Sequence, residues 1–247
     1  MQKNTIIFVV IAALGGFIGG FMLANSLNRS EMSSLRSQNL QPKTGDNNTA
    51  TAPSRPDDLT ADELRSKIAE ADKNPGNFEF QKGLGTALYR YAAMKQDQAL
   101  FQDALRILER ANSLNARDFD VLVALGNTHF DLAFFKKDAV GFQKARDLYS
   151  KALEIRPADA DVTTDLGLTW FLQNPPAYDK ATAELQSVSD ANPKHERSLQ
   201  FLVQVYVKQN KLPEAEKTFE KLKAINPSNE SIGELTSLIG AAKNGLK

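Results

Sequence analysis

Among the side chains that most often carry chemistry, the chain has two histidines, His129 and His195, and no cysteine. Neither histidine stands in the H-E-x-x-H spacing that sets two imidazoles on one helix face around a zinc ion. The absence of cysteine removes thiolate nucleophiles, disulfides and thiolate-held metals together, and it suits a domain facing an oxidising envelope compartment. Gly83-Leu84-Gly85 could begin a phosphate cradle. It falls inside a helical pattern, however, without the strand-to-helix turn that aims backbone N–H groups at an anion. Asp159 and Asp161 fit the acidic first turn of a helix. No position pairs a nucleophile or a base with a group to orient it, so the chain reads as a non-enzyme with no catalytic residue, metal or cofactor. Thirty basic residues balance thirty acidic ones, which argues against the basic surface that nucleic acid requires.

The elements that would position these side chains begin with Ile6–Ala24, IIFVVIAALGGFIGGFMLA, nineteen residues without a charge. A helix of that length spans roughly 28 Å, about the hydrocarbon thickness of a bilayer. A soluble core helix is rarely apolar on every side. A cleaved signal peptide would have a shorter run ending in small residues spaced like A-x-A, and here only Ala24-Asn25-Ser26 offers such a site. Residues 1–25 are therefore expected to form a transmembrane anchor, and with no Cys after the run a lipoprotein-type attachment is excluded. Lys3 and the terminal amine face Arg29 and Arg36 across the run, a near balance that slightly favours a cytoplasmic C-terminal side. Short anchors of this kind commonly export the domain they carry, so the rest of the chain is expected on the periplasmic side. Gly15, Gly16, Gly19 and Gly20 form overlapping G-x-x-x-G patterns, a face on which two such helices could pair as a homodimer, although Gly is also common in membrane helices generally. Residues 26–59 are rich in Ser, Asn, Gln, Thr and Pro with almost nothing to bury, which predicts a flexible polar linker. Thr60 followed by Glu63 is a capping box that starts the first soluble helix.

From there three features recur in order: a Leu-Gly pair with a large residue three positions on, an Ala with a large apolar residue four positions on, and a Pro. They fall at Leu125-Gly126 and His129, Ala145 and Tyr149, Pro157. They recur at Leu166-Gly167 and Trp170, Ala181 and Leu185, Pro193, and again at Leu202-Val203 and Tyr206, Ala215 and Phe219, Pro227. An earlier unit has Leu84-Gly85 and Leu88, Ala104 and Leu108, with Ala116 in place of Pro. From Ala104 through Ala145 and Ala181 to Ala215 the spacing is 41, 36 and 34 residues. Small residues allow two helices to cross closely, large ones fill the neighbouring helix's gaps, and Pro ends the second helix.

This register resembles the tetratricopeptide repeat, whose pattern runs L-G-x-x-Y, A-x-x-x-F, P with a usual period of 34. The resemblance covers about residues 75–227. It implies an all-α chain: a single N-terminal transmembrane helix, then an α-solenoid of about four helix pairs over 60–243 with a C-terminal capping helix. The first two repeats are long in the same way. Met94 aligns with Phe135 and Phe101 with Phe142 on either side of the turn, so both helices of each pair should gain about one turn. The added aromatic residues are expected to pack the enlarged hairpins against each other, or else to offer an apolar partner site. After Pro227 a final helix capped by Ser228 should cover the stack with Ile232, Leu235, Leu238 and Ile239. His129 occupies the family's large-ring position and reads as packed, whereas His195, at a helix start, reads as solvated.

The resemblance further implies that the first helix of each pair lines a groove that binds a protein or peptide. The positions so placed include Lys82, Tyr89, Asn127, Phe130, Leu168, Phe171, Arg197, Gln200 and Gln204, where aromatic and aliphatic members could be anchors or packed core. The family's carboxylate clamp is matched only at Lys82. Thr86 and Ala124 replace its asparagines, and Asp161 and Asp165 stand where Lys and Arg belong, two acids that would repel a carboxylate. The expected function is a membrane-tethered scaffold or adaptor for protein partners, with no nucleic acid. The layout of membrane segment plus repeats also looks like the accessory subunits of bacterial cytochrome c maturation, which hold apocytochrome.

Overall fold

The computed structural model describes residues 60–245, and every regular element among them is a helix. They are α1 (Ala61–Lys73), α2 (Phe78–Lys95), α3 (Gln98–Leu114), α4 (Phe119–Lys136), α5 (Ala139–Ile155), α6 (Ala160–Leu172), α7 (Tyr178–Ala191), α8 (Glu196–Lys208), α9 (Leu212–Ile225) and α10 (Ile232–Lys243). The expected anchor Ile6–Ala24, its Gly15, Gly16, Gly19 and Gly20 face and the linker 26–59 lie outside the described residues. Among the described residues no helix is long and apolar enough to cross a membrane. The described chain divides into two compact units, the first ending at Ala111 and the second beginning at Asn112.

In the first unit, α1 starts at the Thr60–Glu63 capping box, in which the Thr60 hydroxyl accepts from the Glu63 N–H and the Glu63 carboxylate accepts from the Thr60 N–H. Both exchanges satisfy donors that no earlier turn can serve. Buried Gln81 donates from Nε2 to the carbonyls of Ala71 (2.7 Å) and Asn74 (3.0 Å), which ties the end of α1 to α2. Asp72 accepts from Arg106 and, at 2.6 Å, from Arg110 on α3. These two guanidinium donors hold its carboxyl below the usual range. Gly85 marks the α2–α3 crossing, where a Cβ would lie 2.7 Å from Leu108 Cγ.

The second unit is built from the hairpins α4–α5, α6–α7 and α8–α9, closed by α10, which packs on α8 and α9. Ala145, Ala181 and Ala215 are fully buried at the crossings, so the small-residue register carries the packing. The second helices stop where the sequence places Pro157, Pro193 and Pro227. The residues just before them, Arg156, Asn192 and Asn226, have φ of −129°, −130° and −145°, because a following proline ring disfavours the helical conformation. The enlarged repeats have first helices of 18 residues and second helices of 17, against 13 and 14 in the later two. Both partners grew together, as the alignment of Met94 with Phe135 and of Phe101 with Phe142 implies. The added rings pair across the turn of their own hairpin: Tyr89 lies 6.0 Å from Phe101 and Phe130 lies 5.5 Å from Phe142.

The closing helix departs from expectation at its start. It begins at Ile232 after Ser231, not after Ser228. The Asn226 side-chain carbonyl takes the Ser228 N–H, and the Asn229 carbonyls take the N–H groups of Ser231 and Ile232. The Glu196 carboxylate accepts from both asparagine amides, at 2.8 and 2.6 Å. Two Asx turns anchored to α8 therefore use the residues that a Ser228 cap would have needed. Leu235 and Ile239 are buried beneath α10, while Ile232 and Leu238 are half-buried.

Candidate functional site

The first helices α4, α6 and α8 adjoin in order within the second unit, and their shared side carries a polar cluster. Asp161 and Asp165, one turn apart on α6, project toward Arg197 on α8. The Arg197 guanidinium pairs with the Asp165 carboxylate and lies 3.7 Å from Asp161. His195 caps α8: its Nδ1 accepts from the Ser198 N–H at 3.2 Å, and its Nε2 lies 3.2 Å from Asp161 Oδ1. With Nδ1 accepting, the neutral ring carries its proton on Nε2 and donates it to Asp161. That donation, reinforced by Arg197, holds the Asp161 carboxyl below its ordinary value. Burial pushes Asp165 up to about 6, opposed by Arg197.

One expectation is corrected here. His195 is not solvated, since its side chain is only 15% exposed and joins α8 to α6. Asp161 and Asp165 also meet a cation supplied by the next repeat, Arg197. Neither partnership can be seen from local spacing, since the residues that meet lie 34 and 32 apart in sequence.

The other candidates divide by burial. Asn127 accepts from the Tyr149 hydroxyl at 2.8 Å within the interior. Phe130 and Leu168 are 1% and 0% exposed and fill the core, and Phe171 is half-buried with its ring 6.0 Å from Tyr178. Gln200 is half-buried on α8, and Gln204 is buried with its Nε2 lacking a hydrogen-bond acceptor. In the first unit Lys82 is half-buried and Tyr89 buried. Arg197, Gln200 and Gln204 thus share one stripe of α8, spaced three and four residues apart.

A second constellation went unread in the sequence. The ring of Trp170 receives two cations, Arg146 with its Cζ 3.9 Å from the ring centroid and Lys180 with its Nζ at 4.2 Å. Arg146 is buried, bonded to Gln143 through Nε and Nη2, and burial lowers its pKa from the ordinary value. The only available signal was the large aromatic at the repeat's ring position, which says nothing of cations from the helices on either side. His129, the equivalent residue one repeat earlier, is half-buried. Burial, with Lys144 nearby, drives its pKa down to about 4. Among the described residues no group of three or more His, Asp and Glu could hold a metal ion.

Residues 177–239 match the tetratricopeptide repeat family model. The fold is similar to the crystal structure of MamA, with 22% identity over 67% of this chain and 87% of that one and a TM-score of 0.53. It is likewise similar to a thermophilic tetratricopeptide-repeat protein of Thermus thermophilus, at 18% identity over 74% and 89% of the two chains with a TM-score of 0.54. YrrB, described as a repeat protein with an unusual peptide-binding site, aligns at 18% identity over 74% and 84% with a TM-score of 0.50. No curated protein sequence matches the chain. The helical hairpins thus have the tetratricopeptide-repeat fold.

Proposed function

We propose that this chain is a membrane-tethered scaffold that holds a protein segment along the first-helix side of its repeats. The observation that carries the reading is Gln204, buried in α8 with an amide donor left unmatched. An unsatisfied buried donor costs on the order of 1–3 kcal/mol, and a bound backbone carbonyl would recover it. Gln200 and Arg197 on the same stripe would add further donors, while Asp161 and Asp165 keep the local charge balanced, so an extended neutral segment fits better than a carboxylate terminus. The peptide-binding site of YrrB supports the same use of the fold.

In this reading Ile6–Ala24 is the anchor, Gly15, Gly16, Gly19 and Gly20 allow it to pair with a second copy, and residues 26–59 connect it to repeats on the periplasmic side. The test is a photocrosslinking residue placed at Gln200, with a control at exposed Gln186 on α7, in intact membranes. Adducts to a partner from Gln200 alone support the groove, and equal adducts from both positions overturn it. The side of the membrane is read from a single cysteine at Ser54 in this cysteine-free chain. Labelling of intact cells by an impermeant maleimide supports export, and labelling only after lysis contradicts it.

A further inference from the structure

The turns of the three hairpins in the second unit follow one another along one edge, which combines an exposed apolar side chain with unpaired lysines. The second and third turns meet directly, Gln209 bonding to Asp179 and Thr182, and the first hairpin packs on the second through α5 and α6. Trp170, near the end of α6, meets Arg146 midway along α5 and Lys180 near the start of α7. A shallow depression of about 520 Å³ is lined by Pro176 to Lys180 from one turn and by Gln209 and Lys211 from the next. On this edge Val140, in the first turn of α5, is 64% exposed, the most exposed large apolar side chain among the described residues. Half-buried Phe135 lies just across the turn, and Pro175 and Pro176 project from the next one.

Basic residues flank these apolar groups. Lys136, Lys137, Lys208 and Lys211 are all exposed, and none joins an ion pair among the described residues. The nearby acids are partly engaged: Asp138 caps α5 by accepting from the Val140 N–H, and Asp179 accepts from Gln209. On the opposite edge, made of the loops between repeats, Arg117, Arg156 and Lys194 are interspersed with acids such as Asp118, Asp159 and Glu196, which cap helices or hold turns there.

We propose that the turn edge of the second unit docks on a bilayer surface carrying anionic lipid headgroups, with Val140 and Phe135 entering the interface and Lys136, Lys137, Lys208 and Lys211 meeting the headgroups. Apolar tips ringed by lysine match the layering of an interface, in which acyl chains lie beneath a negative surface. The proposal rests on the tethered reading, because an anchor in the same bilayer raises the local concentration of this edge at the surface.

The test uses the full chain on vesicles of pure phosphatidylcholine or with 30 mol% phosphatidylglycerol (an illustrative anionic fraction of about one third, to give a negative surface). Flotation at high salt, which screens the edge but not an embedded anchor, reports the tether. Val140→Cys carrying an environment-sensitive fluorophore reports the edge by quenching from doxyl-labelled lipid, with Lys194→Cys on the opposite edge as control. Selective quenching of the Val140 probe on anionic vesicles, lost at high salt and about 30-fold weaker in partition for Lys136→Gln/Lys137→Gln (roughly fivefold per lysine), is the expected result. Equal quenching of the two probes, or quenching indifferent to phosphatidylglycerol, overturns the proposal. So does a probe shift that depends on protein concentration without lipid, which would assign the edge to a second copy. If the chain fails to float at high salt, the tether is refuted. Flotation at low salt on anionic vesicles alone would then still support the edge, and none would refute it.

Discussion

The hairpins α4–α5 and α6–α7 are one repeat at two lengths. Both have an aromatic pair across the turn, Phe130 with Phe142 at 5.5 Å and Phe171 with Tyr178 at 6.0 Å. Both have a glycine where the helices cross. They differ in how completely these features are buried and in how the turn is made. In the longer hairpin both rings are at most 2% exposed, and the turn is a single residue, Lys137, at φ 53° before Asp138 caps α5. In the shorter one both rings are half-buried and the turn runs through Asn174, Pro175 and Pro176. Lengthening the pair by about a turn moved the aromatic contact from the rim into the core.

The difference predicts unequal costs for equivalent truncations. Phe142→Ala should destabilise the second unit by about 4 kcal/mol, the usual loss for a buried ring plus its cavity, whereas Tyr178→Ala should cost about 1–2 kcal/mol because half of that ring already meets water. Trp170 is the chain's single tryptophan and lies in this unit, so urea unfolding monitored by its fluorescence measures both. Equal costs would show that the longer hairpin gained length without gaining core.

The crossings sharpen the same contrast. A Cβ at Gly126 would lie 2.5 Å from the Tyr149 ring, and one at Gly167 would lie 3.1 Å from Leu185 Cγ. An aromatic ring already held through its hydroxyl by Asn127 has little room to yield, while a leucine branch can turn. Gly126→Ala should cost about 2 kcal/mol net. Gly167→Ala should fall within about 0.5 kcal/mol of the parent, since the helical preference for alanine over glycine offsets the crowding. A reversed order in urea midpoints would mean that Tyr149 is the more compliant neighbour.

What the sequence disclosed and what it hid divide along the same line. Gly126, Ala145 and Pro157 are legible because crossing, packing and termination are decided within one hairpin and leave a fixed spacing. The cap at Ser231 was not legible, because the choice between it and Ser228 depends on Glu196, a residue on another helix that holds both Asn226 and Asn229. The candidate groove was half legible. Register alone puts Arg197, Gln200 and Gln204 on one stripe, yet the charge state of that stripe depends on Asp161 and Asp165 from the preceding repeat. Burial likewise separates Gln200 from Leu168, although the same alignment selects both.

Acid should affect the two hairpins in opposite senses. His129 on α4 has its pKa lowered to about 4 from an ordinary 6.5, so the folded state binds fewer protons than the unfolded one between those values. Its contribution is complete above pH 6.5 and is lost as the pH falls toward 4. Asp165 on α6 is raised to about 6 from 3.8, so the folded state binds more protons there, and its contribution grows as the pH falls from 6 toward 4. His129→Phe should therefore remove up to about 2 kcal/mol of acid loss, discounted for the ring's partial exposure. Asp165→Asn should make the acid loss steeper. Urea midpoints at pH 7 and pH 4.5 decide it, and parallel shifts for the two variants would refute the assignment.

The smallest effect concerns the turn itself. Lys137 adopts a left-handed conformation that costs a side chain about 1 kcal/mol relative to glycine, and its N–H closes α4 by bonding to Ala133 and Phe134. Lys137→Gly keeps that bond, relieves the strain and loosens the unfolded chain, for a net gain of about 0.5 kcal/mol. The residue that ends α6, Gln173, has φ −64°, so Gln173→Gly should instead lose about 0.5 kcal/mol. The pair therefore reports turn geometry by sign rather than by size. The lysine variant adds a second reading, since it should be more stable than the parent yet bind anionic vesicles roughly fivefold less tightly. A residue that weakens the fold while strengthening a surface contact is placed there by the contact, and a variant that gained on both counts would leave the strain at Lys137 without that explanation.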